Sequence, residues 1–239
     1  MYKTVFICIA LIHGLIHFMG FSKAFGYGNI AQLTNEISKP VGLLWFSTGL
    51  LFLICVALYV LKKDSWVYFA LVAVVLSQIL ILLFWNDAKF GTIDNVIILL
   101  FTTIGFFQIK FKNEYRTQVK IGLEQSRDIL ITNLTESDIV HLPKPVQKYI
   151  RYTNCIDKPK VINFKINFSG KIRSREKNVW MHLTSVQYNF IKTSTRLFYL
   201  DATMNYMPVA GFHSFKNGIA FMDIRLLSMF NVQYILPAP

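Results

Sequence analysis

The sequence predicts a membrane α-helical bundle of four transmembrane helices followed by an α+β domain with an antiparallel β-meander. Three observations carry that reading. Of 239 residues, 54% are hydrophobic and 16% charged, too apolar a balance for an ordinary soluble chain of this length. Four apolar runs each approach the roughly 20 residues that a helix rising about 1.5 Å per residue needs to cross about 30 Å of hydrocarbon. From Val161 the hydrophobic period becomes two, the period of a half-buried strand. The chain thus divides into a bundle over 1–109, an amphipathic helical linker and helical lead-in over 110–160, and an antiparallel β domain over 161–239.

The first run extends from about Thr4 to Phe21, the second from Pro40 to Leu61, the third from Ser65 to Trp85, and the fourth, the shortest, from about Ile93 to Ile109. Lys3 before an apolar stretch imitates a secretory signal. The run nevertheless passes through His13 and His17 into Phe21, Ser22 and Lys23 without a small-residue cleavage pattern, so it reads as a span. "SKAFGYGNIAQLTNEISKP" is a polar external loop with room for a turn around Ile30 to Leu33, while "KKD" ties spans two and three into a hairpin. "NDAKFG" joins the last two spans, giving an up-down-up-down bundle.

Charge sets the orientation. Lys3, Lys62, Lys63, Lys110, Lys112, Arg116 and Lys120 flank one side of the spans, against Lys23, Lys39 and Lys89 on the other. The more basic side is cytoplasmic, so both termini are expected inside a multi-pass plasma-membrane protein. Residues 110–239 carry nineteen Lys and Arg against nine acids, or +10 of the total +12. Such a domain is attracted to an anionic leaflet, making membrane lipids the expected partners together with an apolar ligand or a protein. Nucleic acid is not expected, since no RNP, zinc-finger or helix-turn-helix pattern occurs. Cys8 and Cys55 fall inside spans and Cys155 stands alone, which excludes a disulfide framework and a thiolate zinc site.

Beyond the fourth span, "KNEYRTQVKIGLEQSRDILI" places Val119, Leu123 and Leu130 at roughly helical spacing, an amphipathic helix leading away from the membrane. Thr135 or Ser137 starts a short helical turn. In "LPKPVQKYIRY", Pro145 suits a first helical position, and Val146, Tyr149 and Ile150 group opposite Lys148 and Arg151. Lys144, Lys148 and Arg151 are the candidate membrane-surface cations, and packing of this helix on its own domain is the competing reading. Ile162, Phe164, Ile166 and Phe168 then alternate with polar residues, and strand-like runs follow at about 178–191, 195–204, 211–216 and 219–227. Asn217-Gly218 makes a hairpin turn. "NVQYILPAP" offers no final strand to shield the edge of a five-stranded sheet, which leaves two readings, an incomplete β domain or a complete sheet of five strands.

"LIHGLIHFMGFSKAFG", "QLTNEISKPVGLLW", "SQILILLFWNDAKFGTIDN" and "LPKPVQKYIRYTN" together resemble a family of uncharacterised bacterial integral membrane proteins, a domain of unknown function with N-terminal spans and a β-rich C-terminal part. The resemblance covers essentially the whole chain and implies no activity. It implies that members continue past the position of Pro239 with a further helix and more strands, so that this chain ends early.

Polar residues inside spans are the candidate site. With each span centred in the bilayer, His13 falls near the midplane and His17 about 6 Å further out, at about 1.5 Å per residue. Ser47 and Thr48 on span two, and Ser77 and Gln78 on span three, lie slightly outward of centre, while Trp85, Asn86, Asp87, Lys89 and Asn95 line the outer rim. Polar groups are costly in lipid unless they meet, so His13, His17, Thr48, Gln78, Asp87, Lys89 and Asn95 form the expected intramembrane cluster. Haem held between two histidines needs ligands from opposite sides of the porphyrin, which this pair on one helix does not supply unless a second subunit contributes. Metal binding by His13, His17 and Asp87, helix association through Ala10 and Gly14 with the imidazoles bonded to Gln78, Thr48 or backbone, and a proton-linked or ligand-binding role stay open. No cofactor is expected. The soluble part shows no catalytic motif; His141, His182 and His213 lack a paired acid, and Asp201 and Asp223 read as solvent-facing strand residues. Non-enzymatic binding of a lipid, apolar ligand or partner by the aromatic-rich, basic β domain at the cytoplasmic face is the leading expectation. The aromatics behind it are Phe164, Phe168, Tyr188, Phe190, Phe198, Tyr199, Phe215 and Phe221. A metal-dependent membrane enzyme centred on the His pair, or a structural membrane protein, is the alternative.

Overall fold

The computed structural model describes residues 2–173, 180–204 and 207–235. The chain divides into two units, Met1–Lys110 and Phe111–Pro239. In the first, α1 (Tyr2–Ala24), α2 (Lys39–Val60), α3 (Trp66–Leu83) and α5 (Gly91–Ser126) are long and apolar enough to cross a membrane, with the single turn α4 (Trp85–Ala88) between the last two.

Small residues set how closely α1 and α2 approach. A Cβ on Gly14 would come within 2.7 Å of Phe52 Cβ, and one on Gly49 within 2.8 Å of the Gly14 carbonyl. Gly20 is filled by the Trp45 ring and Gly42 by Ala24, so the pairs 14–49, 20–45 and 24–42 describe an antiparallel crossing. Phe6 closes the other end, packed between Tyr59, Trp66 and Phe101. The loop after α1 makes its turn at the expected place, with Leu33 N–H donating to the Ile30 carbonyl.

The fourth span and the amphipathic segment after it are one helix, α5, of 36 residues. The sequence reading separated them at Ile109. Between Ile109 and Gly122 there is neither Pro nor Gly, and a change from apolar to amphipathic character breaks no backbone hydrogen bond.

In the second unit, the C-terminal part of α5 lies on a six-stranded antiparallel meander in the order β1-β2-β3-β4-β5-β6. The strands are β1 (Asn163–Arg173), β2 (Trp180–Phe190), β3 (Thr195–Met204), β4 (Met207–Lys216), β5 (Ile219–Leu226) and β6 (Phe230–Ile235). Positions 178 and 179 of the expected second strand lie outside the described residues. The β4–β5 hairpin turns at Asn217 (φ 53) and Gly218 (φ 80), the paired positive φ of a type I′ turn.

Two strand expectations are corrected. β4 begins at Met207 rather than 211, because Pro208, which reads as a breaker, still contributes its carbonyl, accepting from Leu227 N–H. The sheet also has a sixth strand, reached through Leu227 (φ 55) and Ser228 (φ 58), of which only the serine is a usual turn residue and neither is the Asn or Gly that favours positive φ.

Phe111, Tyr115 and Val119 of α5 cluster with Phe190, Leu197, Tyr199, Ala210 and Phe212, and Gly122 admits the ring of Phe190. Tyr115 Oη donates to the Val186 carbonyl at 3.2 Å. The register places β1's apolar residues on the opposite face. Ile166 pairs with Gln187 and Gln187 with Phe198, whereas Tyr199 under the helix leads to Val186 and Asn167. Phe164, Phe168 and Ile172 remain 40–49% exposed, and no hydrophobic cluster among the described residues includes a side chain of their face.

Between α5 and β1 lies a small clasp. α6 (Glu136–Ile139) is capped by Thr135 and Asp138, and α7 (Lys144–Tyr152) follows. Leu134 N–H donates to the Lys158 carbonyl and Lys160 N–H to that of Thr132, closing the two ends on each other.

Candidate functional site

Some of the polar residues of the apolar helices meet at the end of the bundle where α1 finishes and α2 starts. His13 Nε2 lies 3.0 Å from Ser77 Oγ on α3, and its Nδ1 3.3 Å from an Asp94 carboxylate oxygen on α5, too far out of line to count as a hydrogen bond. One turn on, His17 Nδ1 donates to the His13 carbonyl at 2.8 Å. A carbonyl only accepts, so that contact places the proton on Nδ1 and leaves Nε2 of the neutral ring with a lone pair. Among the described residues nothing satisfies it, and the indole N–H of neighbouring Trp45, its ring centroid 5.2 Å away, is equally unpartnered. Both side chains are buried.

The other expected members separate into two groups. Asn95 donates to Gln78 at 3.1 Å and Gln78 to Thr92 at 3.3 Å, a chain linking α3 to α5 that leaves the buried Asn95 Oδ1 unpartnered among the described residues. Thr48 is buried but returns its hydroxyl to the Leu44 carbonyl of its own helix. The imidazoles are therefore bonded to Ser77 and backbone rather than to Gln78 or Thr48. Asp87 holds the loop: its carboxylate accepts from Thr34 N–H at 2.7 Å and Thr34 Oγ1 at 2.8 Å. These bonds, the hydroxyl's foremost, hold its carboxyl below the usual range. Lys23 donates to the Leu33 carbonyl from below, and Lys89 lies over the Phe90 ring at 5.5 Å.

Under that tethered loop is a cavity of about 250 Å³, walled by His13, His17, Trp45, Ile81, Phe90 and Asp94 among others. Among the described residues no three His, Cys, Asp or Glu side chains are placed to hold a metal ion, and the set His13, His17, Asp87 is not so arranged. Sequence reasoning missed Asp94 and Trp45. An acid inside an apolar span was the available signal for the first; the indole, an ordinary span residue, gave none.

On the second unit, the expected basic helix is split differently from its pattern. Arg151 is exposed but engaged, bidentate on Glu136 with Nη2 2.7 Å and Nε 3.0 Å from its oxygens, which holds the Glu136 carboxyl down. Gln147 is the buried residue, donating to the Val140 and Leu142 carbonyls. Lys144 and Lys148 are exposed, and so are Val146, Tyr149 and Tyr152, so the outer face of α7 is aromatic and basic together. On the sheet, a shallow groove of about 470 Å³ runs past Phe164, Asn189, Arg196 and Phe215. Burial, and then the nearby Arg196 guanidinium, hold the His213 imidazole below its ordinary range.

Expected to face solvent, Asp223 is instead 1% exposed and bound by Arg225 at 2.6 Å and Asn231 at 3.1 Å. Asp201 is partly exposed and meets Lys112 at 3.3 Å.

Fold and sites together define a class: four apolar helices of spanning length followed by an α+β domain whose sheet is a six-stranded meander. Residues 132–235, the clasp and the sheet, match a family described as of unknown function (DUF6544). No curated protein and no solved structure matches the chain.

Proposed function

We propose that this is a multi-pass plasma-membrane protein, both termini cytoplasmic, whose β domain binds an anionic membrane lipid without chemical turnover. The observation that carries the reading is the second face of the sheet. Phe164, Phe168, Ile172, Phe198 and Phe215 share it by register, outside every hydrophobic cluster of the described residues. Phe164, Phe168 and Ile172 are exposed and Phe198 and Phe215 half-buried, and an apolar surface of that kind marks a binding site. Charge complementarity favours a lipid as its occupant: residues 110–239 carry +10, Arg196 stands beside the groove, and α7 presents Lys144 and Lys148 with Tyr149 and Tyr152, the residue types that anchor at membrane interfaces.

The test is native mass spectrometry of the protein released from mild detergent, paired with flotation on vesicles containing phosphatidylserine. Wild type is expected to retain phospholipid, and Phe168→Asp and Arg196→Glu to lose most of it while melting within a few degrees of wild type. A lipid-free wild type that ignores anionic vesicles overturns the proposal, and so does a lipid-free dimer closed over the same face.

A further inference from the structure

We propose that the loop-capped cavity at the end of the bundle binds a small, largely apolar molecule bearing a hydroxyl group, a phenol or an alcohol. The argument starts from unmet hydrogen bonds. His17 Nε2 and Trp45 Nε1 belong to side chains that wall the cavity and are 2% and 3% exposed, yet among the described residues neither atom has a partner; His13 Nδ1, also without a hydrogen bond there, at least has the Asp94 carboxylate 3.3 Å away. Buried polar groups in folded proteins are almost always satisfied, and an orphan costs the full desolvation of the group.

The two orphans are complementary. Indole N–H can only donate, and His17 Nε2, with the proton fixed on Nδ1 by the His13 carbonyl, can only accept. A hydroxyl, whether of water, an alcohol or a phenol, can meet both needs, accepting from Trp45 and donating to His17. The remaining wall is mixed: Ile16, Met19, Leu33, Ile81 and Phe90 suit a hydrocarbon body, while His13, Gln32, Asp87 and Asp94 add polar groups to it. The volume is sufficient. An apolar cavity of about 150 Å³ takes benzene, and this one measures about 250 Å³. Access is controlled by the loop after α1, which is tied down through Thr34 on Asp87 and Leu33 on Lys23.

The experiment uses the full chain in nanodiscs, with 4-fluorophenol and its methyl ether, 4-fluoroanisole, as ¹⁹F NMR probes. The ether keeps the acceptor for Trp45 and lacks the donor for His17. Saturable binding of the phenol is expected, with the ether roughly tenfold weaker, the effect of one buried hydrogen bond left unmade. His17→Phe, which keeps a ring in the packing, should bring the phenol down to the ether's affinity and leave the ether unchanged. Trp45→Phe should weaken both. Phenol uptake that never saturates beyond the lipid background, as a cavity holding water only would give, overturns the proposal. So does an ether that binds as tightly as the phenol in wild type, a comparison that needs no variant to fold. The site lies wholly in the first unit, so its failure and that of lipid binding by the β domain are separate results.

Discussion

Asp223 shows what a single residue can decide in the sheet. Its carboxylate is removed from water and accepts from Arg225 Nε at 2.9 Å, Arg225 Nη2 at 2.6 Å and Asn231 Nδ2 at 3.1 Å. Arg225 in turn lies over the Phe111 ring at 4.2 Å, coupling the pair to α5. Removing one partner of a buried pair leaves the other charge uncompensated, which costs more than the intact pair gains. Arg225→Met is therefore expected to destabilise the protein by about 3–5 kcal/mol, and Asn231→Ala by about 1 kcal/mol. Thermal and denaturant melts of the full chain check both. Equal, small effects would mean that Asp223 is satisfied some other way. At the same scale, Asp223 explains a misreading: an acid at an alternating strand position reads as solvent-facing, and only the arrival of β6 and α5 encloses it.

Elements differ in how they are held. The clasp over 132–160 has little apolar burial, Ile139 being its one fully enclosed hydrophobe among the described residues, and it depends on polar contacts. Lys160 donates to Asp138 at 2.8 Å, Thr135 completes the capping box, and Arg151 grips Glu136. The Lys160 and Thr135 bonds hold the Asp138 carboxyl far below its ordinary range, and the Arg151 bonds lower that of Glu136. The sign follows from proton counting. As pH drops below about 4 the unfolded carboxyls take up protons before the folded ones, so the clasp's contribution, fully present above that range, is lost on acidification. Amide exchange of α6 and α7 should rise relative to the sheet as pH falls from 5 to about 2, and Asp138→Asn should flatten that dependence. A dependence unchanged in the variant would place the acid sensitivity elsewhere. Pro145 and the Thr135 cap were legible because helix starts are local chemistry. β6 was not: its turn uses Leu227 and Ser228, and a register shift at Ile224/Arg225 breaks the alternation that would have marked the hairpin.

For the whole molecule, the four helices and the asymmetry of Lys and Arg around them lead to the expectation that the loop after α1 is external. Asn29→Cys should then react with an impermeant thiol reagent in intact cells, and a reporter fused after the last residue should behave as cytoplasmic. An external reporter would invert the bundle and put the capped cavity on the inner side. The cavity's chemistry would be unaffected, but the source of its ligand would change.

The sequence by itself determined how many apolar helices there are, where each begins to within a few residues, and that an antiparallel meander follows. Those features are written in local period, and period is a property of the chain alone. It also determined that His13 and His17 share a helix face one turn apart. Tertiary structure decided whom they meet. His13 was given Ser77 and Asp94, His17 and Trp45 were left with unmet groups beside a cavity, and Asp87 was drawn off to the loop at Thr34. It decided likewise which face of the sheet α5 covers, because alternation in β1 separates apolar from polar residues but does not say on which side a helix comes to rest. Partners across helices and sheet faces are set by packing between segments distant in sequence, and no window along the chain contains both sides of such a contact.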